Sequence, residues 1–282
     1  MRERSQSFDP RQVMHRSDFE IFHYRDLRTS FVEVHHHDFY EVYFLVSGSL
    51  AYWVDGRILR MTPGDLLFIN PMALHRPMPD AEDALCERFV LWIHKDYLES
   101  LSTEQFSLLR CFDTKRPDHS YRIRPTAAER AVLTARMGEL VKECYSKELG
   151  SDISARGIFQ QLIVQLNRLD SRPGESREEE QLSELVRSAM RYIGENIASP
   201  LSLGEIAGSL FVSKSYLSHA FTSEVGVSVY RYIMLRRLLL ARQRLGAGEP
   251  AGQVCRSCGF SDYTSFYRAF KSEYGISPRE FK

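Results

Sequence analysis

Cysteine is scarce in this chain, with five in 282 residues at Cys86, Cys111, Cys144, Cys255 and Cys258. An odd number, so widely scattered, excludes a disulfide framework as the source of stability. Cys255 and Cys258 form a CxxC, but no Cys or His pair nearby completes a zinc site, so both are expected as small apolar residues on a buried helix face. Long apolar runs are also missing. No stretch approaches the ~18 to 20 residues that a membrane helix needs, and the opening MRERSQSFDPRQ lacks the apolar core of a signal peptide. A cytoplasmic protein with no membrane partner is therefore expected. Net charge is absent as well, since 37 Lys and Arg balance 37 Asp and Glu.

What is present is a composition of 43% apolar, 12% aromatic and 26% charged residues, that of a globular protein rather than a disordered one. The length suits two domains of ordinary size. The zero net charge conceals a split. From Gln181 onward about 13 Lys and Arg face about 8 Asp and Glu, roughly +5, which leaves roughly −5 on the first 180 residues. A basic C-terminal part is suited to a polyanion partner.

Residues 19 to 94 read as short strands. Phe39 to Val46 is an aromatic and β-branched run, Ala51 to Val54 and Arg57 to Met61 flank an Asp55-Gly56 hairpin turn, and Pro63-Gly64-Asp65 precedes Leu66 to Ile69. A strand near Glu87 to His94, a helix over Asp96 to Leu109 and a short strand near Tyr121 to Ile123 follow. Strands this short with turns this frequent predict a β-sandwich or barrel. Thr126 to Leu149 and Ile153 to Leu169 then carry apolar residues at helical spacing. SRPGESREEE, residues 171 to 180, has the composition of an exposed linker. Beyond it Leu182, Leu185, Val186, Ala189, Met190, Ile193 and Ile197 mark an amphipathic helix.

The most informative feature is a self-match: AFTSEVGVS at residues 220 to 228 and AFKSEYGIS at residues 269 to 277. Each copy follows a short helix, a turn and a second helix. Ser202 and Glu205 predict a capping box, Phe211-Val212 the first turn, and Ser213 the cap of a helix carrying Leu217 and Phe221. In the second copy Ala251 to Cys258 is the short helix, Gly259-Phe260 the turn, and Asp262 the cap of a helix carrying Phe266 and Phe270. With those apolar residues inward, the outer faces present Ser215, Ser218, His219 and Thr222, and Thr264, Tyr267, Arg268 and Lys271. These types can hydrogen-bond base edges and phosphates. A helix near Val229 to Leu245, with Arg231, Arg236, Arg237, Arg242 and Arg244, spans ~25 Å and would set two such units about one DNA turn apart.

LSLGEIAGSLFVSKSYLSHAF, YIMLRRLLLAR and GFSDYTSFYRAFKSEYGISPREF resemble the AraC/XylS transcription regulators over roughly the last hundred residues. The resemblance implies seven helices, two helix-turn-helix units and sequence-specific binding of a double-stranded DNA operator, with base contacts carried by Ser215, Ser218, His219, Thr264 and Arg268. His219 stands where Arg is common, Cys255 replaces a usual Ala, and Ala251 a larger aliphatic.

In the N-terminal part His35, His37 and Glu41 share one parity, so an extended strand would point all three into a small barrel, where His75 could join them. This spacing, with Gly48, resembles the first cupin motif. Gly64 and His75 keep the spacing of the second, with the proline displaced to Pro71, Met72 at the expected glycine and Pro79 in place of an asparagine. Many AraC-like regulators carry such a barrel as an effector domain. Tyr43, Trp53 and Trp92 are further candidates to line the pocket by stacking on a sugar face.

The sequence thus predicts an α+β protein of two domains. Residues 1–170 form a cupin-like effector-binding and dimerisation domain, with the barrel at about 15–125 and helices at about 126–170. A linker over 171–180 and an all-α DNA-binding domain over 181–282 with two helix-turn-helix units follow. The expected function is a homodimeric transcription regulator under small-molecule control, not an enzyme and needing no cofactor. A sugar is one candidate effector and RNA polymerase a candidate partner; activation and repression both stay open. The alternative is a metal-dependent cupin enzyme or a metal-sensing regulator, with a divalent metal on His35, His37, Glu41 and His75. A pH-responsive cluster at His35, His36 and His37 is a third class.

Overall fold

The computed structural model describes residues 12–27, 32–79, 85–172 and 180–281. The opening segment and most of the expected linker, 173–179, lie outside the described residues. The chain divides into two compact units, Met1–Glu180 and Gln181–Lys282.

The first unit contains strands β1 (Phe19–Leu27), β2 (Tyr40–Ser47), β3 (Leu50–Val54), β4 (Arg57–Met61), β5 (Leu66–Ile69), β6 (His75–Pro79), β7 (Leu85–Ile93) and β8 (Arg122–Ile123). One sheet runs β1-β7-β2-β5-β8; in the other β6, β3 and β4 lie side by side. The period-2 alternation explains the packing. On β2, Tyr40, Val42 and Phe44 join a core with two helices, whereas Tyr43 and Leu45 face the space between the sheets, where they meet Tyr52, Val54, Leu59 and Met61 of the second sheet. The Asp55-Gly56 turn has φ of 44° and 90°, both positive, as a two-residue turn between right-twisted strands requires. Its Asp55 Oδ1 accepts from the Leu74 amide at 3.1 Å and so fixes the approach to β6.

Three helices follow the strands: α1 (Lys95–Ser100), α2 (Ala127–Tyr145) and α3 (Ser151–Asp170). Phe159 of α3 stacks on Phe19 at 4.3 Å between centroids. The helix expected over Asp96 to Leu109 stops at Ser100. Beyond it, side chains take up the backbone groups that helix continuation would need. Ser102 Oγ accepts from Leu108 N–H at 3.0 Å, and the buried Asn167 of α3 donates to Leu108 O and accepts from Cys111 N–H. Tertiary hydrogen bonding thus overrides local propensity.

The second unit holds α4 (Glu184–Glu195), α5 (Leu203–Ser209), α6 (Lys214–Val225), α7 (Val229–Gly246), α8 (Ala251–Ser257) and α9 (Tyr263–Tyr274). The capping box of Ser202 with Glu205 and the Ser213 and Asp262 caps form as the residue types demand. Where the resemblance implies seven helices, six are present among the described residues. The segment after α9 is a single turn, with the Ser277 amide donating to Glu280 at 2.8 Å. Cys255 and Cys258 are buried in the apolar core around α8, and all five cysteines are free thiols.

The long helix α7 uses its arginines internally. Arg237 donates to the carbonyls of Ile197 and Ser199 at 3.1 and 2.7 Å, Arg231 pairs with Glu273 at 3.1 Å, and Arg242 lies over the rings of Tyr274 and Phe281. Gly259, at φ +80°, is required beside this lattice, because a Cβ there would come within 2.5 Å of Ile197 O and 2.9 Å of Arg237 Nε. The corresponding turn between α5 and α6 places Phe211 in the same left-handed region, at φ 57°. Among the described residues Met72 is the other bulky one there, at φ 76°. A side chain in that region costs on the order of 1 to 3 kcal/mol.

Candidate functional site

Two places bring together the polar residues singled out by the sequence, one in each unit. In the second, α6 buries Leu217, Phe221 and Val225 and α9 buries Phe266 and Phe270. Those buried residues recur every four positions and so share one face, and the residues one or two positions from them face outward. Ser215, His219, Thr222, Thr264, Arg268 and Lys271 are exposed, and Ser218 and Tyr267 are half-buried. Lys271 Nζ rests 5.8 Å from the Tyr267 ring centroid. On α6 the outward residues line a groove together with Leu203, Ser223 and Lys214. Lys214 was not singled out by sequence. Its signal was nonetheless available, since Lys214, Ser218 and Thr222 repeat at i, i+4 and i+8 behind the Ser213 cap.

In the first unit, His37, Glu41 and His75 converge, with one donor atom from each lying within 4.8 Å of the others. The route differs from the parity argument. β2 begins only at Tyr40, so no strand runs through residues 35 to 39. Convergence comes instead from a bridge in which the His35 and His75 backbones exchange hydrogen bonds of 3.1 and 3.0 Å, and from the Met72 amide donating to His37 O at 3.0 Å. Met72 makes that bond from its left-handed backbone, where the cupin pattern has glycine.

Glu41 sits opposite Trp92 of β7, whose Nε1–H donates to its Oε2 at 2.9 Å. His35 lies ring to ring with His75 at 4.3 Å but outside the three-donor group. Tyr43 is buried in the interior, its hydroxyl 3.8 Å from Cys86 Sγ. Trp53 is a correction. Leu50, Tyr52 and Val54 point inward from β3, so Trp53, of opposite parity, faces away from the interior and cannot line it.

Each imidazole has its tautomer set by a backbone carbonyl. Nδ1 of His35, His37 and His75 lies 2.9, 2.8 and 2.9 Å from the carbonyls of Glu33, Phe39 and Ala73. A carbonyl only accepts, so Nδ1 carries a proton in all three; Nε2 of His35 and His75 keeps its lone pair, whereas a second proton on His37 Nε2 would face the Glu41 carboxylate. Among the described residues Nε2 of His37 and of His75 has no hydrogen-bond partner, although His37 Nε2 is 3.4 Å from Glu41 Oε2. Burial pushes His35 down to about 4, and burial with the neighbouring His35 and His37 holds His75 well below the usual imidazole value. Both are neutral at physiological pH, so His35 takes no part in a pH switch of the cluster His35, His36 and His37. Burial raises Glu41, but His37, His35 and the Trp92 indole outweigh it and keep the carboxyl below its ordinary value.

Comparison with known proteins covers both units. Residues 17–186 match the family model of the AraC-like ligand binding domain, and residues 206–282 match a helix-turn-helix domain. The chain is 26% identical over 249 residues to the HTH-type transcriptional activator RhaS of Enterobacter sp. (strain 638), covering 88% of this chain and 86% of that one. It is 33% identical over 92 residues to the probable transcriptional regulator LumQ of Photobacterium leiognathi, covering 32% and 37%. Among solved structures, the C-terminal domain of AraT, a response regulator from Geobacillus stearothermophilus, is 30% identical with a TM-score of 0.35, covering 36% of this chain and 86% of that one. Among the described residues no helix is long and apolar enough to cross a membrane.

Proposed function

The chain belongs to the AraC family of transcription regulators, DNA-binding proteins with a small-molecule ligand domain rather than enzymes, and we propose that it acts as a homodimeric, cytoplasmic activator that reads its operator with α6 and α9. The observation that carries this reading is the doubled helix-turn-helix. Two capped helices at equivalent places in a repeat each bury an apolar face and expose polar and cationic residues. In this reading Ser215, Ser218, His219, Thr264 and Arg268 meet base edges, while Lys214, Thr222, Tyr267 and Lys271 meet the backbone. The ligand domain is residues 1–170, joined by the linker 171–180 to the reading domain 181–282, with RNA polymerase as the partner on the activating side. A polar small molecule, a sugar being one candidate, binds between the sheets against Glu41, Tyr43, Trp92 and the histidines.

A second reading of the same pocket has its own observation, the two buried Nε2 atoms without hydrogen bonds. A tetrahedral centre with bonds near 2.1 Å sets its donors about 3.4 Å apart, which is the His37 to Glu41 separation; the remaining separations, within 4.8 Å, must close by at most about 1.4 Å. Imidazoles whose Nδ1–H is held by carbonyls are the usual outer arrangement of a metal site. His37, Glu41 and His75 would hold a divalent transition-metal ion, with His35 behind them. Such an ion would supply a Lewis-acidic anchor for an oxygen donor of the effector.

The experiment is operator selection from a random duplex pool, followed by footprinting of the full chain with metabolite and metal panels. Protection over two successive major grooves per chain is expected. Arg268→Ala should relax base preference at one or two positions, by about 1 to 3 kcal/mol. Glu41→Gln and His75→Ala should remove the effector-dependent change while leaving basal operator affinity intact, and should abolish any stoichiometric metal. A pool that yields no preferred sequence would defeat the reading.

The dimer is assigned to α2 and α3. They leave a groove lined by Val132, Arg136, Gln160, Gln161, Val164, Gln165 and Arg168, and Val132 and Ile153 stay exposed. Apolar positions left uncovered on paired helices favour self-association. Sedimentation equilibrium of the full chain at tens of micromolar is expected to show a dimer, and Val132→Asp combined with Val164→Asp a monomer.

A further inference from the structure

We propose that Phe211, in the turn before α6, is itself a DNA contact that packs on a deoxyribose beside the phosphate held by Lys214. The inference rests on α6 being a reading helix.

Two features of Phe211 run against folding stability. Its backbone is left-handed, at φ 57°, a region in which an L side chain with a Cβ is strained. Its side chain is 96% exposed, so the ring gains nothing from burial within the chain. The second repeat shows the alternative. At the equivalent place, where Gly259 N–H donates to Arg256 O as Phe211 N–H does to Gly208 O, the residue is glycine at φ +80°. An aromatic ring that strains its backbone and packs on nothing among the described residues is explained by something outside the chain.

The surroundings favour nucleic acid over protein. A protein docking patch needs contiguous apolar surface. Phe211 is instead followed by exposed Ser213, Lys214 and Ser215, which lead into the groove of the polar face of α6. A cation three residues from an exposed ring, with a second exposed but hydroxyl-bearing ring at Tyr216, suits a sugar-phosphate backbone, where the phosphate takes the charge and the apolar face of the deoxyribose takes the Phe211 ring. Phe211 would then flank the reading helix and fix its register along the groove without selecting a base.

The test is Phe211→Gly in the full chain, assayed on the selected operator across a salt series together with thermal melting. Glycine relieves the left-handed backbone, so the melting temperature should stay equal or rise. Operator affinity should fall at least fivefold. Because an apolar contact releases no counterion, the slope of log affinity against log salt should be unchanged, whereas Lys214→Ala should make it shallower by about 0.9 per contact. Phe211→Asn, also tolerant of this backbone, should behave as the glycine variant does. A lowered melting temperature in both variants would show the ring to be structural and overturn the proposal. So would unchanged operator affinity, including the case in which transcription alone is lost and the ring meets a protein. Were the wild-type chain to bind no operator at all, the reading of α6 would fail first and this inference with it.

Discussion

Raising the salt from 50 to 200 mM is expected to weaken operator binding about a hundredfold. Each phosphate neutralised by a cation contributes about −0.9 to the slope of log affinity against log salt. The number of cations available is smaller than the charge suggests. Arg231, Arg237, Arg242 and Arg244 of α7 are engaged with Glu273, backbone carbonyls, aromatic rings and Glu249. With Lys214 and Lys271 as the phosphate contacts, two phosphates per chain, and four in the proposed dimer, give a slope near −3.6, hence ~10² over a fourfold change in salt. Fluorescence anisotropy with a labelled operator would measure it. Lys271→Ala should weaken all duplexes alike and flatten the slope, whereas Thr264→Ala should alter sequence preference and leave the slope intact. A change below tenfold would mean that the duplex is not held through its phosphates.

The second large effect concerns folding. Phe266→Ala should destabilise the second unit by about 3 to 5 kcal/mol, the usual cost of emptying a buried aromatic site. The Phe266 ring is fully buried, with the rings of Phe260, Tyr263 and Phe270 at 4.9, 5.9 and 5.7 Å, and it holds α9 against the turn after α8. Domains are stable by only about 5 to 15 kcal/mol, so the loss takes a large share of the whole. Operator binding should be lost at physiological temperature, and a denaturant melt of the full chain should show one transition moved to lower denaturant. Thr264→Ala, two residues away but exposed, should leave that transition within about 0.5 kcal/mol of its original position. An undisturbed melt for Phe266→Ala would mean that the α9 core is not as packed as its ring distances imply.

The two mutations also show which parts of the molecule were legible in the sequence. Caps, turns and helical faces of the second unit follow from local rules, because Ser202, Ser213 and Asp262 act within three residues and Leu217, Phe221, Phe266 and Phe270 obey a fixed period. The strands of the first unit were legible for the same reason. The misreadings arose where distant residues decide. Asn167, more than fifty residues downstream, takes the backbone groups that would have continued α1. His37 reaches Glu41 through a bridge to β6 rather than along a strand, which also leaves His35 outside the donor group. Trp53 was read by type and not by parity, and its neighbours Tyr52 and Val54 take the interior. No composition or spacing argument contains those contacts, although parity alone could have placed Trp53.

Helix α7 has a consequence on the side of the operator. It is an unbroken rod of 18 residues, about 27 Å long, braced at Arg231, Arg237 and Arg242, and it separates the two reading helices of one chain. One extra base pair between the two groups of bases that this chain reads would move the second by about 3.4 Å and turn it by about 35°. That is a larger displacement than Arg268 or Thr264 can follow by changing rotamer while the rod stays straight. With α6 and α9 as the proposed reading helices, the sites bound by this protein are therefore expected to differ from one another in base identity, and not in the number of base pairs between the two groups read by one chain.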